Sequence, residues 1–176
     1  YFLLSFFIFS GTSASWHGFA GINRSENLRV KIKVKNLGID QVDLEDYVLR
    51  VLAAEMSVEA PPEALKAQAV LIRTFAMASQ GRHRQEGFDF CDLTHCQAYR
   101  HQKYFAPRLK AAVQQTLGLA LYYRSKPIEA LYHSTCGGRT SANHQVFGGR
   151  PLPYLQGVED GEYCQASPHF RWQSEI

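Results

Sequence analysis

Glu55 closes an apolar run, Val51-Leu52-Ala53-Ala54-Glu55-Met56. A carboxyl among such neighbours is partly withdrawn from water, the setting that general-acid chemistry near neutral pH uses. The same run suits a carboxylate hydrogen-bonded at a helix end. Lys66 and Arg73 stand seven residues apart, so a helix puts them on one stripe with Glu63 and Val70. Two cations there would hold sugar hydroxyls, a carboxylate or Glu55 itself. The plainer reading is a solvated stripe carrying a Glu63–Lys66 pair.

A second constellation is Cys91-Asp92-Leu93-Thr94-His95-Cys96. This spacing departs from the CxxC of common zinc modules. With His83 upstream, however, His83, Cys91, His95 and Cys96 would make a closed four-ligand zinc site. His101 and His133 are further nitrogen donors. A Cys91–Cys96 disulfide and free thiols are the alternatives. A third segment, Tyr132-His133-Ser134-Thr135-Cys136-Gly137-Gly138-Arg139-Thr140, has two glycines that let backbone approach a ligand closely. On a strand, His133 and Ser134 point to opposite faces, which argues against a Ser–His pair. Cys136 could be a nucleophile with His133 or His144. A disulfide to Cys164, tying the final loop to the preceding hairpin, is its better use.

These groups need elements to hold them. Residues 28–35 alternate strictly, with Leu28, Val30, Ile32 and Val34 on one face and Arg29, Lys31, Lys33 and Lys35 on the other. That is a half-buried strand. Its basic face reads as a solvated surface protecting a sheet edge, or as a surface for an anionic polymer such as a cell wall. Residues 43–56 have helical spacing, with acids crowding the first turn. Pro61-Pro62 opens a second helix to about Ser79, ended by Gly81. Residues 82–92 read as a polar loop and 107–116 as a third helix stopped by Gly118. Strands are expected at 119–124 and 127–134 around Ser125-Lys126. The rest is loop-rich, with a sharp bend at Cys136-Gly137-Gly138. The pattern is α+β: one domain over residues 28–176, antiparallel strands packed with about three helices.

The 176 residues suffice for such a domain. The +3 net charge is too weak to argue for nucleic acid, and no phosphate-cradling glycine motif is present. Residues 1–9 are apolar except Ser5, and small polar residues follow; this reads as a signal-peptide remnant over residues 1–15, with a linker at 16–27. The run is too short to span a bilayer. An exported protein without a membrane span in its mature form is the expectation, in an oxidising compartment. The chain is expected to continue past Ile176.

Four blocks in order resemble the stage II sporulation protein D family, which includes the amidase enhancer of bacterial autolysis. They are Leu44-Glu45-Asp46-Tyr47-Val48 running into Ala53-Ala54-Glu55-Met56; Glu63-Ala64-Leu65-Lys66-Ala67-Gln68-Ala69-Val70 with Arg73-Thr74-Phe75-Ala76; Thr94-His95-Cys96-Gln97; and residues 130–140, followed by Pro153-Tyr154-Leu155. The first two in tandem are highly specific; the third alone is weak. The fourth departs from the family's frequent Ser-Thr-Ser-Gly-Gly, with Cys136 in the third place.

The resemblance implies an envelope protein acting on peptidoglycan glycan strands. In the best-studied branch this is a lytic transglycosylase that cuts strands stripped of stem peptides. It implies Glu55 as catalytic acid, with Lys66 and Arg73 in the same site. Gln68, Tyr132, Ser134, Gly137 and Gly138 are the further candidate substrate contacts. The family also implies a possible structural zinc near the third block, although the chemistry requires no cofactor. A water-using glycosidase needs two carboxylates, for which Glu59, Glu63 and Asp92 would be candidates. The alternative function is a non-enzymatic wall-binding enhancer of an N-acetylmuramoyl-L-alanine amidase, with that amidase as partner.

Overall fold

Six residues of strict alternation, Arg29–Val34, form β1 with Val30, Ile32 and Val34 buried and Arg29, Lys31 and Lys33 exposed. The computed structural model describes residues 28–93 and 95–171. The signal-peptide and linker expectations, residues 1–27, lie outside the described residues, as does Thr94 of the third block. The described residues gather into two compact units, 28–131 and 132–171.

In the first unit β1 turns through Asn36 and Gly38, both at positive φ, into β2 (Gly38–Asp43). The two pair antiparallel, Arg29 opposite Asp43 and Val34 opposite Gly38. Helix α1 (Leu44–Glu55) follows without a loop, and its buried stripe is Leu44, Tyr47, Val48, Val51 and Leu52. Proline at the first turn opens α2 (Pro62–Ser79), which buries Leu65, Ala69, Ile72 and Ala76. A 3-10 turn (Arg84–Glu86) leads to β3 (Phe90–Cys91), then α3 (Pro107–Gln115), β4 (Tyr122–Tyr123) and β5 (Lys126–Pro127). The three helices pack on one another, with β1 against α1. Phe90 stacks on Tyr47 at 5.4 Å between ring centres, and Tyr47 on Tyr99 at 5.8 Å. Each fully buried aliphatic side chain here contributes about 1.5–3 kcal/mol.

The architecture is α+β, as the sequence pattern indicates. Several details differ. β1 is the middle strand of a β2-β1-β3 sheet, not an edge. Its basic face is solvated, but it has no edge to protect. β3 runs parallel to β1 within the span expected as loop; two residues are too short to show periodicity. Asp89 and Asp92 reinforce this seam by accepting the backbone N–H of Lys31 at 2.8 Å and of Lys35 at 2.9 Å. The hairpin expected from residues 119–134 shrinks to β4 and β5. Its turn is Arg124-Ser125, both at positive φ, one residue earlier than expected. Such a mirror-image turn suits strand twist but carries neither Asn nor Gly, the usual signal.

In the second unit, α4 (Asn143–Phe147) is an additional short helix in a segment expected to be loop. Gln145 accepts the Ala142 backbone N–H at 3.1 Å. Arg139 and Glu159 face each other in an isolated antiparallel bridge and form an ion pair at 2.7 Å. Gly137 and Gly138 adopt φ of 71° and 99°, making the expected bend.

Candidate functional site

Glu55 is the last residue of α1 and is half-buried. The helix ends there because Met56 turns extended, its N–H still bonded to the Leu52 carbonyl. The Ala98 backbone N–H donates to Glu55 Oε1 at 3.0 Å. Glu55 Oε2 has no partner among the described residues. The segment carrying Ala98 is docked along α1 by three more contacts. Tyr47 donates its hydroxyl hydrogen to Gln97 Oε1 at 3.1 Å, the Arg100 N–H reaches the Arg50 carbonyl, and Arg50 donates to the Gln102 carbonyl at 3.1 Å. A half-buried carboxyl fixed through one oxygen by a backbone donor is an arrangement that can deliver and recover a proton through the other.

Arg73 and Lys66 part company. Arg73 is fully buried, and its guanidinium grips Glu45 through two bonds, 2.8 and 2.6 Å, with a third to the Leu119 carbonyl at 2.9 Å. It therefore ties α1, α2 and the segment leading to β4 together, and is not part of an exposed cationic stripe. Lys66 is half-buried and pairs with Glu63 at 2.6 Å, the surface pair expected from i,i+3 spacing. Gln68 is buried. The carboxylates considered as second catalytic groups have other partners. Glu59 faces Arg108 at 3.4 Å, Glu63 holds Lys66, and Asp92 holds the Lys35 N–H.

The cysteine–histidine cluster assembles fully. His83 from the turn after α2, Cys91 from β3, and His95 and Cys96 from the following loop bring four donor atoms within 4.8 Å of one another. Cys91 and Cys96 sulfurs are 3.7 Å apart and unbonded, well beyond a disulfide's ~2.05 Å. Cys91 Sγ lies 3.3 Å from His95 Nε2, Cys96 Sγ 3.3 Å from His83 Nε2, and the two Nε2 atoms 3.1 Å apart. A tetrahedral zinc with bonds of about 2.3 Å to sulfur and about 2.0–2.1 Å to nitrogen has edges of roughly 3.8, 3.5 and 3.3 Å for these pairs. The donor set fits. The other nitrogen of His83, Nδ1, meets Glu86 Oε1 at 2.5 Å, the carboxylate–histidine arrangement that orients a metal ligand. That bond holds the Glu86 carboxyl below its ordinary pKa. His101 lies elsewhere, facing Asp40 at 3.8 Å.

The fourth-block candidates belong to the second unit. Tyr132 is half-buried, whereas His133, Ser134 and Gly137 are exposed. Cys136 and Cys164, expected as a disulfide, are thiols 3.6 Å apart. Burial, then a hydrogen bond to Asp160, push the Cys136 thiol up to about 12, the opposite of an activated nucleophile. Sequence reasoning missed Ala98, Glu45 and Asp160. A backbone N–H leaves no residue-type signal; Glu45 lies 28 residues from Arg73, and Asp160 lies 24 residues from Cys136, though only four from Cys164.

The family profile described as "Stage II sporulation protein" matches residues 33–123. The chain is 35% identical over 142 residues to the stage II sporulation protein D of Bacillus amyloliquefaciens, covering 72% of this chain and 41% of that protein. It is 30% identical over 154 residues to the stage II sporulation protein D of Bacillus subtilis, covering 79% and 44%. To the amidase enhancer of Bacillus subtilis it is 34% identical over 110 residues, covering 62% and 14%. The chain thus spans less than half the length of these relatives. The profile takes in α1 with Glu55, the α1–α2 clamp and the whole cysteine–histidine cluster, and on that match the chain belongs to the stage II sporulation protein D family.

Proposed function

We propose that this chain cleaves peptidoglycan glycan strands as a lytic transglycosylase, with Glu55 as its acid. The observation that supports this reading is the Glu55 carboxyl, half-buried at the end of α1 and held through Oε1 by the Ala98 N–H, with no partner on Oε2 among the described residues. The names of the relatives add the sporulation and wall-amidase context.

One carboxyl suffices for this chemistry. Glu55 protonates the glycosidic oxygen as the bond to the muramic acid C1 breaks. The C6 hydroxyl of the same sugar then attacks C1 and forms a 1,6-anhydro ring. Glu55, now ionised, takes the hydroxyl proton and is ready for the next turn. The nucleophile is intramolecular, so no water need be positioned or activated. A hydrolase would need a second carboxylate, and Glu59, Glu63 and Asp92 are each engaged elsewhere. Arg73 is a positioning residue that fixes α1 against α2. Lys66 keeps the more accessible charge.

His83, Cys91, His95 and Cys96 would hold a structural zinc, which closes the loop at residues 83–96 and supplies no open coordination position. Cys96 precedes Gln97 and Ala98, so anchoring Cys96 fixes the backbone that presents its N–H to Glu55.

Similarity to the amidase enhancer supports a second reading, in which the chain binds wall glycan and stimulates a separate amidase without cutting. Both readings put the protein in the cell envelope as an exported chain. No helix among the described residues is long and apolar enough to cross a membrane.

The deciding experiment incubates peptide-free glycan strands with the wild type and with Glu55→Gln, and reads the products by mass spectrometry. Anhydro-ended fragments from the wild type alone are expected. Reducing ends instead would identify a hydrolase. No cleavage by a folded, wall-binding protein, with amidase stimulation intact in Glu55→Gln, would favour the enhancer.

A further inference from the structure

Among the described residues 132–171 of the second unit, those buried are Ala142, Asp160 and Cys164. Its regular structure is the five residues of α4 and one bridge.

Three metal-binding side chains converge there, their donor atoms within 4.8 Å of one another. Cys136 Sγ is 3.6 Å from Cys164 Sγ, and Asp160 Oδ2 is 3.0 Å from the first and 3.2 Å from the second. The sulfur–sulfur spacing is close to the roughly 3.8 Å edge of two thiolates sharing a tetrahedral zinc. The triangle is small enough for one ion, standing just above its plane, to reach all three corners at about 2.0–2.3 Å. The Gly138 N–H also donates to Cys136 Sγ at 3.3 Å. A backbone donor on the sulfur is the kind of outer contact that supports a metal-bound thiolate. The Asp160 N–H, in turn, bonds the Gly138 carbonyl at 2.9 Å. The bend at Gly137 and Gly138 is thereby locked to the segment that supplies the carboxylate.

We propose that Cys136, Asp160 and Cys164 form a second zinc site, separate from the cluster at His83 to Cys96, with its fourth position open to water or an exogenous ligand. A disulfide would use the same sulfurs. It would give the Asp160 carboxylate, within 3.0 and 3.2 Å of those sulfurs, no part in the linkage. Two thiolates and a carboxylate, by contrast, are a donor set that one zinc ion takes together. Binding releases the thiol protons to solvent and involves no change of oxidation state.

The test takes the purified chain, with zinc as the probe, through metal analysis and residue-resolved thiol alkylation with and without a chelator. About two zinc equivalents are expected, falling to about one in Cys136→Ser and in Cys164→Ser. Cys136 and Cys164 should resist alkylation until the chelator is added. Asp160→Asn, which keeps both thiols, should weaken this site by more than the roughly 10–100-fold seen on loss of an outer-shell partner. A chain lighter by two hydrogens with Cys136 joined to Cys164 would overturn the proposal. So would protection that the chelator does not lift, or a single equivalent lost only with Cys96→Ser.

Discussion

The Ala98 backbone N–H lies 3.0 Å from Glu55 Oε1, joining the end of α1 to the loop that leaves the cysteine–histidine cluster. This bond separates what Glu55 does for folding from the acid role proposed for it. Glu55→Gln keeps an acceptor oxygen, so its unfolding free energy should change by less than about 1 kcal/mol. On the proposed function, its glycan cleavage should fall by about 10²–10⁴. Glu55→Ala should lose activity equally but also cost about 1–2 kcal/mol by stranding the amide. Paired thermal melts and product assays check both.

With the proposed zinc on His83, Cys91, His95 and Cys96, removing metal should loosen that same loop. A chelator is expected to lower the melting temperature and raise hydrogen exchange at Gln97 and Ala98 more than in β1. Glu86→Gln, which weakens the support of His83, should reduce zinc affinity by about tenfold or more. Competition against a colorimetric chelator measures it. Affinity should fall as pH falls, because protons compete for both histidines and both thiols.

Arg73 should behave as a structural clamp. Arg73→Met removes a buried guanidinium with three bonds and leaves Glu45 without its partner, for an expected loss of about 3 kcal/mol. Arg73→Lys keeps the charge but loses the two-pronged grip, so it should recover only part of that stability. Urea midpoints resolve the series. Near-wild-type stability in Arg73→Met would make the residue a ligand contact after all.

Tyr99 predicts alkaline sensitivity. Its hydroxyl is buried without a partner among the described residues. Burial pushes the group up to about 12 from an ordinary 10.0. A raised folded-state value means the stability is fully present below pH 10 and is lost as pH rises through 12. Tyr99→Phe should remove that loss and leave neutral-pH stability unchanged or slightly higher, because no hydrogen bond is given up. Unfolding titrations at pH 8 and about pH 11 distinguish the two proteins.

Much of this protein was legible in the sequence because its signals are local and repeated. The alternation of residues 28–35, the apolar stripe of α1 and Pro62 opening α2 specify those elements through period and backbone chemistry alone. Residue types also marked Glu55 and the set His83, Cys91, His95 and Cys96. What those residues face was decided by tertiary structure. Arg73 reads in sequence as the companion of Lys66, but Glu45, 28 positions earlier, takes its charge into the interior. β1 became a central strand because Phe90 and Cys91 pair with it from the far side of α2. The donor atoms of His83, Cys91, His95 and Cys96, and those of Cys136, Asp160 and Cys164, come together only when segments separated in sequence close on one another. Periodicity reports the face each element buries; it holds no information about which distant backbone N–H, carboxylate or thiol will stand opposite.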